Sequence, residues 1–317
     1  MTSSFLNNFN KREKMKIGVI GYGNMGSMIV NNILQLNLLL ANEELIVSNR
    51  HIEKIEDLIE RYPDGKFQIT DNNTELAKSC EKIIISVTTP NFKEVIEEIS
   101  PFINEKTHII YTCAGLDFKH INSFFDGKLT LVIPSLASTV TSNNSISSIA
   151  RRKGITLIKH NDKVEIQDSL FIEDLFNEFS YVKTLKDKVY PFNDDLNNVY
   201  SNNIQLEIGT ILTSCGPAFI AIMIEKFAEM ASNNADISKN EAEDMILKTL
   251  IGTAILKEDQ KLSNEEIIEK VATKGGITAE GVDLLDKRLN NLYKKLLDSL
   301  LSRYVEVNKE MDEIYLN

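Results

Sequence analysis

The chain is poor in the residues that build disulfide frameworks and metal centres. Its three cysteines, Cys80, Cys113 and Cys215, are far apart and odd in number. That excludes a disulfide scaffold and fits a reducing, cytoplasmic setting. The four histidines, His51, His108, His120 and His160, fall in no HExxH or paired spacing, so no metal site is expected. No Ser/His/Asp set, Cys–His pair or paired catalytic carboxylates stand out. Any chemistry must then sit in a cofactor, with the protein supplying position and polarity. No uninterrupted apolar run of about 18 residues occurs, which excludes a membrane span. The most apolar long stretch, "ILTSCGPAFIAIMI", is interrupted by Ser214, Gly216 and Pro217. The opening "MTSSFLNNFNKREK" has no apolar core of signal-peptide length. Positive charge is also short, with 35 Lys and Arg against 46 Asp and Glu for a net −11. The phosphate backbone of a nucleic acid would be repelled. A small anionic ligand remains compatible, because backbone amides bind anions inside an acidic protein.

What is present is a globular composition, 43% hydrophobic and 26% charged over 317 residues, enough for two ordinary domains. After residues 1–14, which read as a mobile tail, strand-like and helix-like segments alternate. "MKIGVI", "ELIVSN", "KFQIT", "KIIISVT", "THIIYTC" and "LTLVIPS" read as strands. "HIEKIEDLIERY", "NTELAKSC", "FKEVIEEISPFI" and the segment Asn24 to Leu38 read as helices between them. Such alternation implies βαβ units and a mainly parallel sheet. "QDSLFIEDLFNEFS" reads as a further helix and "YVKTL" as an edge strand. Residues 187–203, polar and Asn-rich, read as a linker, and from Ile204 onward the periodicity is helical. The expected fold is α/β: a Rossmann-like doubly wound sheet over residues 15–186, then an all-α domain over 204–317.

Five stretches carry chemistry. In "GVIGYGNMGS", Gly21, Gly23 and Gly26 form G-x-G-x-x-G directly after a strand and at the start of a helix. Gly21 allows the turn, Gly23 lets the backbone approach a pyrophosphate, and Gly26 allows close helix packing. The same loop brings Tyr22, Asn24 and Met25 to the cofactor. A bare tight turn is the competing reading, but the strand and helix context is present on both sides. The second strand ends Ser48-Asn49-Arg50, with no acid for a ribose 2′-hydroxyl. Hydroxyl, amide and guanidinium suit a 2′-phosphate, so NADP(H) is preferred and NAD(H) remains possible. The alternative is that Arg50 is a solvated charge. "SVTTPNF" places Val87, Thr88, Thr89 and Pro90 at a later strand end, as ribose or phosphate contacts or as a plain turn. "TCAGLD" places Cys113 and Ala114 similarly, and Ala114 and Gly115 are small enough for a nicotinamide to sit close. In "SCGPAF", Pro217 suits the first position of a helix and Ser214 its cap, which by itself describes a capped buried helix. "TKGGIT" lies between two helices, with Thr278 able to cap the second. A simple turn needs one glycine, not Gly275-Gly276 followed by a β-branched residue.

Taken in order, these residues resemble the pyrroline-5-carboxylate reductase family from about Met15 to about Leu301. "IGVIGYGNMGS" is similar to the family's opening. "IPSLAS" stands where the family has Met-Pro-Asn-Thr-Pro-Ala, and "SCGPAF" where it has Ser-Gly-Ser-Gly-Pro-Ala-Tyr. "TKGGIT" stands where it has Ser-Pro-Gly-Gly-Thr/Ala-Thr. Ser135, Thr88-Thr89 and Lys274 depart from the pattern, and Ile-Pro-Ser, Ser-Cys-Gly-Pro-Ala-Phe and Lys-Gly-Gly-Ile-Thr-Ala-Glu-Gly resemble most the ComER-type late-competence branch. The resemblance implies NADPH-dependent reduction of a cyclic imine, 1-pyrroline-5-carboxylate to L-proline, or a catalytically weak regulatory protein that still binds NADP(H). It implies a homodimer through the helical domain, possible higher assembly, and an active site formed with the dimer's helical domains. It places Thr278 by the imine nitrogen, Thr273, Gly275, Gly276 and Ile277 around the substrate, and Asn73 near the adenosine ribose.

Overall fold

The computed structural model describes residues 15–139, 152–186 and 203–316. The tail at 1–14 and all but the last residue of the 187–203 segment lie outside them. Eight strands form one sheet: β1 Met15–Ile20, β2 Glu43–Ser48, β3 Phe67–Thr70, β4 Lys82–Ile85, β5 His108–Tyr111, β6 Lys128–Ile133, β7 Ile155–His160 and β8 Tyr181–Thr184. Their order across the sheet is β3-β2-β1-β4-β5-β6-β7-β8. All neighbours run parallel except β6 and β7, where Val132 pairs with Ile158 in antiparallel register.

Helices cover both faces, which is why the strands read as continuous apolar runs rather than alternating ones. Ile83 and Ile85 of β4 point into one core and Ile84 into the other. The helices between the strands are α1 Asn24–Gln35, α2 Asp57–Arg61, α3 Asn73–Ser79, α4 Thr89–Ile99, α5 Phe118–Ile121 and α6 Ile166–Asn177. The single helix expected over "HIEKIEDLIERY" is broken into a 3₁₀ turn at Ile52–Lys54 and the short α2. Strand β7 is an addition that the pattern reading did not find. Two polar residues interrupt its apolar run, and both are buried with partners. Thr156 Oγ1 lies 2.7 Å from Ser180 Oγ, and Lys159 Nζ donates to Asn203 Oδ1 at 2.8 Å.

The remaining helices are α7 Ile204–Thr213, α8 Gly216–Asn234, α9 Lys239–Glu258, α10 Asn264–Val271 and α11 Ile277–Leu316. The chain divides into two compact units, one of residues 1–215 with 304–317 and one of residues 216–303. So α7 and the last turns of α11 belong with the sheet, although the periodicity placed everything after 203 in a separate domain. The reason is burial. Leu206 and Ile211 of α7, and Met311 and Tyr315 of α11, are all buried in the sheet unit. At about 1.5–3 kcal/mol for each fully buried large side chain, these four outweigh continuity of helical pattern. Polar contacts add to this: Lys93 Nζ donates to the Ile314 carbonyl at 2.7 Å, and His120 Nε2 to Asp312 at 2.8 Å.

The N-terminal edge of the sheet carries buried charge. Asp168 accepts from Lys82 at 2.6 Å and from Lys128 at 2.7 Å. Burial pushes the Asp168 carboxyl up, but hydrogen bonds from Lys128 and Lys82 hold it below its ordinary value. Beside this triad Thr130 Oγ1 sits 2.7 Å from both His108 Nε2 and His160 Nδ1. Burial, then the charge on Lys82, takes His108 down to about 3. A histidine depressed on folding stabilises the fold above its unfolded value near 6.5. That stability is lost as pH falls from 6.5 toward 3, at up to about 1.4 kcal/mol per pH unit. Denaturant titrations of His108→Gln should therefore show a flatter loss of stability between pH 6.5 and 4 than the parent chain. An unchanged slope would mean that His108 is not the group responsible.

Candidate active site

Two regions hold most of the residues singled out by sequence, one in each compact unit. The first lies at the C-terminal ends of β1, β2, β4 and β5. Gly21 turns the chain out of β1 with φ +96°, and a Cβ there would stand 2.4 Å from the Ser86 carbonyl oxygen. A Cβ on Gly26 would stand 2.0 Å from the Gly21 oxygen, so α1 presses directly on the turn. A Cβ on Gly23 would meet nothing within 4 Å, and this residue is exposed. The outer glycines thus answer to packing, and the middle one faces open space. Gly23 is the N-cap of α1, with no side-chain cap bond and no acid in the first turn. Its first amides and the helix dipole are therefore left for an anion. A dinucleotide pyrophosphate fits this arrangement.

Around that turn the side chains divide into supports and exposed groups. Asn49 Oδ1 accepts from the Tyr22 amide at 3.2 Å, and its Nδ2 donates to the His51 carbonyl at 2.7 Å. Both ends of Asn49 are thus used in tying the two loops together. Ser48 is fully buried, and its hydroxyl donates to Asn73 Oδ1 at 2.7 Å. Asn73 Nδ2 donates to Glu98 at 2.8 Å. Of the three residues ending β2, only Arg50 is exposed, and it is paired with Glu94 at 3.0 Å. The Tyr22 hydroxyl accepts from Arg61 Nη2 at 3.0 Å, while Arg61 Nη1 donates to Asn31 at 2.9 Å. Met25 packs into the α1 side of the core, and Asn24 is exposed at the helix start.

Val87 packs against the other core, and Thr88 is the exposed N-cap residue of α4. Thr89 and Pro90 open that helix, and the Tyr315 hydroxyl donates to the Thr89 carbonyl at 3.5 Å. Cys113 is buried with Sγ 3.2 Å from the Val87 carbonyl, and burial pushes its thiol up to about 12. It is thus a packing residue, not a nucleophile, and Ala114 beside it is half-buried. Ser135 is also buried, donating to the Thr213 carbonyl at 2.8 Å, so it ties β6 to the end of α7. Ser214 follows as the C-cap of α7, and α8 starts at Gly216 with Pro217 in its first turn.

The second loop joins α10 to α11. Gly276 N–H donates to the Thr273 carbonyl at 2.9 Å, closing a turn with Gly275 at φ +75°. A positive φ at the third residue is the type II pattern, which favours glycine. A Cβ on Gly276 would stand 2.6 Å from Thr273 Oγ1 and 3.1 Å from its carbonyl oxygen. The two glycines therefore have separate reasons, conformation for the first and space for the second. The Gly276 carbonyl accepts from Ala279 at 3.1 Å and Glu280 at 3.3 Å, so Gly276 occupies the N-cap position. Thr278 does not cap this helix, as the sequence suggested, but stands in its first turn. Its hydroxyl is left exposed, next to the Ile277 and Thr278 amides that precede the first intrahelical bond. Ile277 is 94% exposed, and Lys274 is exposed on the turn.

Residues 203–307 match the family description "Pyrroline-5-carboxylate reductase dimerisation", and residues 16–115 match "NADP oxidoreductase coenzyme F420-dependent". The pyrroline-5-carboxylate reductase of Methanobrevibacter smithii is 38% identical over 274 residues, covering 86% of this chain and 98% of the relative. The chain belongs to the pyrroline-5-carboxylate reductase family. It is thereby an oxidoreductase of a family that acts on C=N bonds. Another relative is ComE operon protein 4 of Bacillus subtilis, 23% identical over 92% of this chain and 96% of that one. The same fold occurs in the crystal structure of Plasmodium falciparum pyrroline carboxylate reductase with NADP bound. That structure has TM-score 0.70 and 20% identity, covering 94% of this chain and 98% of the other.

Supports were what sequence reading missed. Arg61, Glu94 and Glu98 hold Tyr22, Arg50 and Asn73 from 25 to 44 residues away, with no local motif. The glycines make a direct test. Gly23→Ala should leave the melting temperature nearly unchanged and weaken dinucleotide binding about tenfold or more. Gly26→Ala should lower the melting temperature by several degrees, because backbone must move. Equal thermal effects from both variants would contradict the division between ligand-facing and packing glycines.

Proposed function

We propose that this reductase converts 1-pyrroline-5-carboxylate to L-proline at the expense of NADPH, in the cytoplasm and as a homodimer. The observation that carries the substrate reading is the start of α11. An exposed threonine hydroxyl stands there beside backbone amides with no helical partner, after a turn built on two obligatory glycines. Amides at a helix N-terminus suit a substrate carboxylate. The Thr278 hydroxyl suits hydrogen bonding to the ring nitrogen, which fixes the imine's orientation. A hydroxyl of ordinary acidity is a poor proton donor, so orientation is its role. Thr273, Gly275, Gly276 and Ile277 shape the same loop.

NADPH, when bound, supplies the hydride for the C=N carbon. The Gly21–Gly26 turn and the first amides of α1 hold its pyrophosphate. Arg50 pairs with the 2′-phosphate, since a guanidinium meets phosphate oxygens with two parallel bonds. Asn49 and Tyr22 fix the loop, and Ser48 and Asn73 support the ribose side from within. Val87, Thr88, Thr89, Pro90, Cys113 and Ala114, at the ends of β4 and β5, would contact the remainder of the cofactor. The NADP bound in the Plasmodium structure is in keeping with this assignment.

The homodimer is supported by surface chemistry as well as by the family description of residues 203–307. In the unit of residues 216–303, Met223, Phe227, Met230, Leu250, Ile251 and Ile255 are each at least 43% exposed. An apolar surface of that extent marks an interaction face. Among the described residues no single helix is long and apolar enough to cross a membrane.

Purified protein should oxidise NADPH with pyrroline-5-carboxylate. Thr278→Ala should lower kcat/KM by about 10²-fold, and Thr278→Ser should recover most of it. Undiminished kcat/KM in Thr278→Ala would remove the threonine from the mechanism. Normal NADPH affinity without turnover would instead favour a regulatory role. In sedimentation, Leu250→Asp should shift the dimer toward monomer. Full dimer at micromolar concentration would place the interface elsewhere.

A further inference from the structure

We propose that Glu94 sets how strongly this chain prefers the 2′-phosphorylated cofactor, by competing with that phosphate for Arg50; the proposal rests on the dinucleotide reading above. Arg50 leaves the C-terminal end of β2, and Glu94 stands on the second turn of α4, the helix that follows β4. Strand β1 lies between β2 and β4. The pair therefore reaches past the end of β1, beside the turn that Gly21 to Gly26 make. Arg50 Nη2 lies 3.0 Å from Glu94 Oε2, and both side chains are 67% exposed, open to a ligand from solvent.

A second bridge runs alongside. Ser48 donates to Asn73 at 2.7 Å, and Asn73 donates to Glu98 at 2.8 Å. Glu98 is one helical turn beyond Glu94 on the same face of α4. On the other side, His51 Nδ1 is 3.2 Å from Glu53 Oε1. The arginine best placed for a phosphate is thus in direct contact with Glu94, while Glu53 and Glu98 are held by His51 and Asn73.

This arrangement treats two cofactors differently. A 2′-phosphate must take the guanidinium from Glu94. A ribose hydroxyl carries no charge there and leaves the ion pair intact. NADPH binding is therefore opposed by Glu94, while NADH binding is not. Exposed pairs of this geometry change equilibrium constants by about 1.5- to 5-fold. Glu94 thus tunes selectivity and leaves the binding mode unchanged.

Fluorescence titration of the full-length protein with NADPH and with NADH tests this, using the parent, Glu94→Gln, Arg50→Ala and the double variant. Glu94→Gln should tighten NADPH about 2- to 5-fold and leave NADH unchanged within error. The gain should shrink in 0.5 M salt and disappear when Arg50 is already alanine. An unchanged NADPH affinity in Glu94→Gln, with Arg50→Ala still selectively weakening NADPH, would overturn the role of Glu94 alone. Equal changes for both cofactors, or a gain that persists without Arg50, would overturn the competition. If Arg50→Ala changes neither affinity, the phosphate assignment falls and this proposal falls with it. Binding of neither cofactor by the parent chain would reject the dinucleotide reading itself.

Discussion

At the C-terminal edge of the sheet, three stretches of backbone approach more closely than any side chain permits. The Gly21 position lies against the Ser86 carbonyl, and the Gly26 position against the Gly21 carbonyl. This contact joins β1, α1 and the end of β4, the strands on either side of the point where chain order reverses. In open sheets of this class, ligands bind at that point. Because α1 is seated on the turn, its uncapped amides are aimed at one place. Asn49, Ser48 and Asn73 then hold neighbouring loops in register with it, and Arg50 is left at the rim. The site is therefore an outcome of backbone packing first and of side-chain chemistry second.

The alternation of strands and helices, the glycine turn and the change to helical periodicity were legible, because each is local. A buried parallel strand is a short apolar run, and G-x-G-x-x-G is six consecutive residues. What was not legible has a common cause. Lys159 and Thr156 in β7 look polar in a linear reading, yet their partners are Asn203 and Ser180. Ser48 looks like a ligand contact, yet its hydroxyl is spent on Asn73. Thr278 looks like a cap, yet a preceding glycine carbonyl takes the first helical bonds. Lys82 and Asp168 lie 86 residues apart in sequence and 2.6 Å apart in space. A residue's type states what it can bond, and only the fold states what it does bond. The same limit explains α7 and the end of α11, whose helical pattern is clear but whose allegiance to the sheet is decided by burial.

The two compact units solve the problem of burial differently. The sheet unit encloses two cores of its own, one on each face. The helical unit of residues 216–303 buries few large side chains within itself. Its contact between α8 and α9 closes over the small residues Ala228 and Ala242, while phenylalanine, leucine and methionine side chains remain outside. Close approach through alanine gives a tight helix pair but removes little apolar area. The energetic case for a second subunit therefore arises from which residues were placed inside.

The three glycines of the first turn also differ in what exposes them to selection. Replacement of the first or third disturbs the fold and is penalised whether or not anything binds. Replacement of the second meets open space and is penalised only through a ligand. A descendant that had given up its dinucleotide would be free to lose Gly23 while retaining Gly21 and Gly26. The middle position of this turn is thus a record of use, readable in any lineage that carries the fold.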